Sequence, residues 1–310
     1  MPDLCAYPVN ADEKHYNAEP GKKKPYTNFG LAELIIEVKQ ALHQDPFNDP
    51  KGSKPGKEHD FVYTYIKDAR LRDEAQRNLG QLARYADNIF SRQHRCFWFQ
   101  VFIIGKHARL LRWDRSGVVV SRRFNYHTGS DQYLRTFLWR YVHAKPEMRG
   151  YDTTVRRATS RQERIFEAAI RQRLIDDAPF LVMPDKESGE NTSTPEELAN
   201  ERIDTYYVAG SVSALTINNR TYLISRPVVT PKSIVSRGTR GYWAVTADQK
   251  KVVFLKDTWR YDVQNMEREG DILAALNEKS VPHVPTCETD DNVLSKMRES
   301  LPLTPSLTRY

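Results

Sequence analysis

Between residues 235 and 276 the chain sets out, in order, a Ser-x-Gly-x-x-Gly turn, an apolar run ending in lysine, and a helix-patterned segment carrying Glu269. That order constrains the fold more than any other feature. Ser236-Arg237-Gly238-Thr239-Arg240-Gly241 lies between β-rich runs. Its glycines allow a tight turn and keep Cβ atoms away from an approaching group. Val252-Val253-Phe254-Leu255 reads as a buried strand that delivers Lys256 at its end. An ammonium there needs a counter-charge, because burying an unpaired cation is costly. Glu269, followed one and two helical turns later by Leu273 and Leu276, supplies it, with Glu267 as the alternative. The expectation is a β-rich unit with one helix.

The preceding residues predict a second, separate unit. Residues 1–28 read as a polar, flexible arm, and Leu34–Lys39 as a strand. Residues 43–60 are loop chemistry, with prolines that cannot continue a ladder. From Arg70 to Phe90, Leu71, Ala75, Leu79, Leu82, Ala83, Ala86 and Ile89 recur at helical spacing. A meander follows over Phe97–Ile104, His107–Trp113 and Val118–Phe124, with a turn at Asp114-Arg115-Ser116-Gly117. Helices are expected over 130–145 and 160–175. The pattern breaks at 183–204, which reads as a linker containing a short capped helix after Thr194. Beyond it come a hairpin around Asn218-Asn219-Arg220 and strands at 228–235, 243–246 and 251–256, then a helix over 266–276. The fold class is α+β: an N-terminal α+β domain over 29–182, then a partial β-rich domain over 205–310.

Composition narrows the function classes. At 310 residues there is room for two cores, and no window nears the ~18 apolar residues of a membrane span. The N-terminus lacks the basic and apolar regions of a secretory leader, and Cys5, Cys96 and Cys287 are widely spaced. An intracellular protein, cytoplasmic or nuclear, with isolated thiols is expected; neither a disulfide framework nor a zinc site is indicated. The net charge of +7 is unevenly distributed: residues 106–123 hold six Lys/Arg against Asp114 alone. Such a stretch is either a solvated face with local ion pairs or a surface for polyanions. Trp98, Trp113 and Trp139 read as core residues of the first unit.

The phrases Ser236-Arg237-Gly238-Thr239-Arg240-Gly241-Tyr242-Trp243, Val253-Phe254-Leu255-Lys256-Asp257-Thr258-Trp259-Arg260 and Glu269-Gly270-Asp271-Ile272-Leu273 resemble the fungal-type protein kinases. So do Gln93-His94-Arg95-Cys96-Phe97, Leu111-Arg112-Trp113-Asp114-Arg115-Ser116-Gly117, Phe137-Leu138-Trp139-Arg140 and Arg149-Gly150-Tyr151-Asp152. The resemblance extends over roughly residues 30–285. It implies the N-lobe of a kinase-like domain behind a large α+β segment, with ATP and Mg²⁺ as cofactors and Ser or Thr of a protein as phosphoryl acceptor. Gly238 and Gly241 would cover the phosphates, Lys256 would bind them and Glu269 would hold Lys256. Ser236 stands at the first glycine position of the kinase pattern, and Trp243 replaces the usual valine. No His-Arg-Asp or Asp-Phe-Gly triplet occurs. The expectation is therefore a truncated or inactive kinase-like fragment, with no catalytic residue of its own.

A second constellation supports a rival reading. Glu37-Val38-Lys39 closing an apolar strand, followed by a helix and a meander, is similar to the Glu-x-Lys core of restriction-endonuclease-like folds. Alternation puts Glu37 and Lys39 on one side of the strand, where an acid could hold Mg²⁺ and a lysine orient water. Only Asp12 stands at a suitable separation for the further acid that this chemistry requires. A nuclease-like or nucleic-acid-binding domain, or a non-catalytic interaction scaffold, are the alternatives. The bland reading of Glu37 and Lys39 is a strand edge whose charged ends face solvent.

Overall fold

The computed structural model describes residues 1–9, 27–50, 59–128, 132–181, 194–231, 233–235, 237–259, 267–289, 291–292 and 307–309. It divides into two units, Met1–Asp152 with Ser233–Val235, and Thr153–Lys232 with Ser236–Tyr310. The architecture is mixed α+β, with one sheet in each unit.

The first unit contains β1 (Leu4–Ala6), β2 (Leu34–Lys39), α1 (Ala69–Arg92), β3 (Trp98–Ile104), β4 (His107–Asp114), β5 (Gly117–Val120), β6 (Phe124–Asn125) and α2 (Tyr133–His143). The sheet runs β1-β2-β3-β4-β5, with β6 also pairing β4. β2 and β3 are parallel, and the crossover that parallel neighbours need is provided by α1. The helix starts where Asp68 Oδ1 accepts from Leu71 N at 3.0 Å, satisfying one of its orphan donors. β3 is a nearly continuous apolar run because both its faces are covered. Trp98, Phe102 and Ile104 join Leu82, Ala86 and Ile89 of α1. On the other face Val101, Phe99 and Ile103 meet Phe137, Leu138 and Tyr141 of α2. Trp98 and Trp113 are core residues as expected, whereas Trp139 is 62% exposed. It lies on the outer side of α2, with its ring 4.6 Å from that of His143.

Buried carboxylates pin this unit together. Glu33 accepts from Arg95 Nη2 at 3.1 Å and Tyr151 Oη at 2.8 Å, and Arg149 lies 3.2 Å away. The Gln93–Phe97 and Arg149–Asp152 phrases thus converge on one buried acid. Asp45 pairs with Arg109 at 2.9 Å, and Asp49 with the same guanidinium at 2.7 Å.

The second unit contains β7 (Val155–Arg157), α3 (Ser160–Leu181), α4 (Pro195–Arg202), β8 (Ser213–Ile217), β9 (Arg220–Ile224), β10 (Arg240–Thr246), β11 (Val252–Trp259), α5 (Glu269–Glu278), β12 (Asp291–Asn292) and β13 (Leu307–Arg309). Its sheet order is β12-β13-β11-β10-β9-β8-β7. Asn218 and Asn219 both take positive φ, 46° and 65°, as a two-residue hairpin turn demands. α4 begins in a capping box: Thr194 Oγ1 accepts from Glu197 N at 3.2 Å and Thr194 N donates to Glu197 Oε2 at 2.8 Å. Phe166, Ile170 and Leu174 of α3 pack with Ala199 and Ile203 and with Leu223 and Val245 of the sheet. Phe166, Ile170, Leu174, Ala199 and Ile203 therefore belong to the second unit's core.

Among the described residues, one expected strand does not form. Over 228–235 the backbone makes a single isolated bridge, Val229 to Gly241. Pro231 has no N–H to continue a ladder. Ile234, three residues later, is counted in the first unit's core, and Ser233 O accepts from Arg115 Nη1 at 3.4 Å.

Candidate functional site

β10 and β11 form an antiparallel hairpin in which Gly241 stands directly opposite Lys256. Side chains of a facing pair project from one side of the sheet, so a residue with none leaves that side open next to the lysine. The turn before β10 is tied to the end of β11. Arg237 O accepts from Trp259 N at 2.7 Å and from Thr258 Oγ1 at 3.2 Å, and the Thr239 and Thr258 hydroxyls lie 2.9 Å apart. Gly238 supplies the left-handed residue of this turn, with φ +53°. Ser236 lies outside the described residues.

Lys256 Nζ donates to both carboxylate oxygens of Glu269, at 2.6 and 2.5 Å. Of the two glutamates proposed for that role, Glu269 takes it. It is the first residue of α5, where a carboxylate also faces the positive end of the helix dipole. A second cation was missed by the sequence reasoning: Arg237 Nη2 lies 3.8 Å from Glu269 Oε2. Its signal was a basic residue within the glycine turn. Arg240, the other such residue, points elsewhere and pairs at 2.5 Å with buried Asp257. Lys256 and Asp257 are adjacent on a strand, so their side chains leave on opposite faces.

Gly241, Thr239, Lys256, Glu269 and Leu273 line a cavity of about 620 Å³, together with Ile217, Tyr222, Val253 and the segment Pro285–Thr289. That volume suits a small organic ligand. Its lining is mainly apolar, with charge gathered at Lys256–Glu269 and at a Lys251–Glu288 ion pair. Gly238 is placed in the turn itself.

In the first unit, Glu37 and Lys39 also meet, with Lys39 Nζ 2.5 Å from Glu37 Oε1. Glu37 is not at a solvated strand edge; it is 2% exposed and faces α1. Its Oε1 accepts from Gln81 Nε2 at 2.7 Å and its Oε2 from Tyr85 Oη at 3.0 Å. Asp12 lies outside the described residues. Among the described residues no group of three or more His, Cys, Asp or Glu is arranged to hold a metal ion. The basic stretch 106–123 is partly interior: Arg109 and Arg115 are buried, and Arg112 pairs with Asp114 at 3.0 Å. None of the three cysteines forms a disulfide, and among the described residues no helix is long and apolar enough to cross a membrane.

No curated protein and no solved structure matches the chain. A family model described as fungal protein kinase matches residues 51–304, most of its length. By that match the chain belongs to the fungal protein kinase family.

Proposed function

We propose that the second unit binds ATP in the cavity beside Lys256, the nucleotide from which the family's kinase chemistry transfers a phosphoryl group to Ser or Thr of a protein. The observation that carries this reading is the bidentate Lys256–Glu269 pair, facing Gly241 across the hairpin and lining the cavity. A fixed ammonium beside open backbone offers an anion both charge and room, and phosphoryl transfer draws chiefly on positioning and charge neutralisation. Lys256 would contact the phosphates, Glu269 would orient it, and the Gly238–Gly241 turn would lie over them.

The donor set fits phosphate better than it fits a metal ion. The two carboxylates lining the cavity, Glu269 and Glu288, are each paired with a lysine. Mg²⁺ usually needs one or two carboxylates in addition to phosphate oxygens and water. The residues described here provide no such free pair, so we assign no step to the metal. Nor does the sequence contain a His-Arg-Asp or Asp-Phe-Gly triplet to position an acceptor hydroxyl. Nucleotide binding is therefore the activity proposed for these 310 residues, and transfer the activity proposed for the family's kinase chemistry.

The nuclease-like reading of Glu37 and Lys39 has weaker support, because both Glu37 oxygens already accept hydrogen bonds from neighbouring side chains. Thermal unfolding with and without Mg-ATP separates the readings. The kinase-like reading expects stabilisation by Mg-ATP that disappears in Lys256→Ala. Equal shifts in the parent and the variant would remove Lys256 from the site.

A further inference from the structure

The two faces of the first unit's sheet are covered unequally. α1, 24 residues long, packs on one face, and α2, only 11 residues long, packs on the other. A helix is roughly 10 Å wide and strands are about 4.8 Å apart, so one helix covers roughly two strands. This sheet runs β1-β2-β3-β4-β5. On the α2 face Val38 of β2 stands beside Ile103, and Val119 of β5 stands opposite Arg112; both valines are left exposed. Opposite flanks of α2 are grooved. Arg135, Leu138, Trp139 and Val142 border a groove of about 600 Å³, and Tyr133, Arg140 and Met148 one of about 360 Å³.

Tyr133, Trp139, Val142 and Met148 are each more than half exposed. A single apolar side chain in water needs no explanation, but several gathered along one helix mark an interaction site. Trp139 is already ordered, with its ring 4.6 Å from that of His143, so fixing it on binding costs little. The charge around this surface has one sign. Residues 132–146 contain Arg135, Arg140 and Lys145 and no Asp or Glu; the nearest acids in sequence, Asp131 and Glu147, stand outside that stretch. Among the described residues neither Arg140 nor Lys145 has an ion-pair partner.

We propose that the α2 face of the first unit docks an acidic amphipathic helix of a partner protein, with apolar residues entering the groove beside Trp139 and Val142 and carboxylates meeting Arg135, Arg140 and Lys145. This role does not depend on the nucleotide reading of the second unit. A helix laid beside α2 would cover strands that α2 leaves bare, and apolar anchors at three- and four-residue intervals fill such a groove. The cations select an acidic partner and speed its approach. A second copy docking through the same face would set Arg135, Arg140 and Lys145 against their own kind, which disfavours a self-complementary pair. A lipid surface has no protruding side chains to fill two grooves. Nucleic acid would meet Leu138, Val142 and Met148 where it needs cations and stacking rings.

The test selects peptides from a random display library on the 310-residue chain, then titrates the enriched sequences by fluorescence anisotropy. Enriched peptides are expected to carry net negative charge with apolar residues at helical spacing. They should bind Trp139→Ser more than about tenfold, and Arg140→Glu more than about fivefold, more weakly than the parent. Both side chains are exposed, so the two variants should melt with the parent. No enrichment, neutral or basic peptides, or equal affinity for parent and variants overturns the proposal. Self-association of the parent in light scattering, or its binding to phosphatidylserine vesicles or to duplex DNA, overturns it as well if that property is lost in Trp139→Ser, because the face then belongs to another occupant.

Discussion

Gly241 lies directly across the β10–β11 ladder from Lys256, and a Cβ at that position would come within 2.6 Å of Phe254 Cζ and 3.2 Å of Val229 Cβ. The glycine thus holds open the side of the hairpin from which the lysine projects. Its φ is not positive, so the requirement is spatial rather than conformational. Phe254 is half exposed and its ring tip can move aside. Gly241→Ala is therefore expected to cost no more than about 1–2 kcal/mol in urea unfolding. Its larger effect should be on Mg-ATP stabilisation, as the displaced ring enters the cavity.

Gly150 presents the opposite case. Its φ is +89°, and an added Cβ would lie 1.9 Å from Phe97 O, a backbone atom that cannot swing away. Gly150→Ala should destabilise by more than about 3 kcal/mol or abolish folding. Gly80 in α1 has nothing within 4 Å of its virtual Cβ. Gly80→Ala should stabilise by up to about 1 kcal/mol, since alanine is the better helix former. Melting curves of the two variants, moving in opposite directions, check this.

Glu269 and Lys256 are both partly exposed, which limits their worth to the unliganded fold. Glu269→Gln is expected to change stability by less than about 1 kcal/mol. The same substitution should remove most of the Mg-ATP stabilisation, because the lysine loses its fixed orientation. A large stability loss with ligand stabilisation retained would mark the pair as structural.

Arg109 is 1% exposed and Asp45 fully buried, so breaking that pair strands a carboxylate in the interior. Arg109→Met should cost about 3–5 kcal/mol, and Arg109→Met with Asp45→Leu should recover most of it. Burial already pushes the Asp45 carboxyl above its ordinary value of 3.8, against the opposing pull of Arg109. Without Arg109 it rises further. The folded variant then holds a proton that the unfolded chain has released, so its stability should improve as pH falls towards that range. Denaturant midpoints at several acidic pH values, parent against variant, read this out.

Tyr141 supplies the alkaline counterpart. Burial raises its hydroxyl from 10.0 to about 12, aided by the Glu33 charge and opposed by Arg95. Between those values the unfolded chain loses a proton that the folded protein keeps, so stability falls as pH rises. Tyr141 alone should contribute up to about 1.4 kcal/mol per pH unit there. Tyr141→Phe, which cannot ionise, should flatten that limb of the stability profile relative to the parent.

Much of the hairpin site was legible because its signals are local. A glycine turn, a strand ending in lysine and a helix opening with glutamate lie within one short stretch, and each follows from spacing or backbone chemistry. The Asn218-Asn219 turn and the Thr194 capping box were legible for the same reason. The strand expected at 228–235 was not formed because β-rich composition outweighed Pro231 in that reading. Trp139 was placed in the core by residue type, yet helix α2 presents only one face to the sheet. The basic stretch 106–123 looked uniform in sequence, and only its partners distinguish buried Arg109 from a surface charge.

The amino-acid order by itself determined the α+β class, the positions of the α-helices and the pairing of Lys256 with a helix glutamate, since these depend on periodicity and short-range turns. Tertiary structure alone decided that Glu33 collects Arg95, Arg149 and Tyr151, and that Asp45 collects Arg109 and Arg123. Those partners lie far apart along the chain, up to 118 residues for Glu33 and Tyr151. Burial makes each charge or hydroxyl require a partner, but only the folded packing of sheet and helices selects which one is within reach.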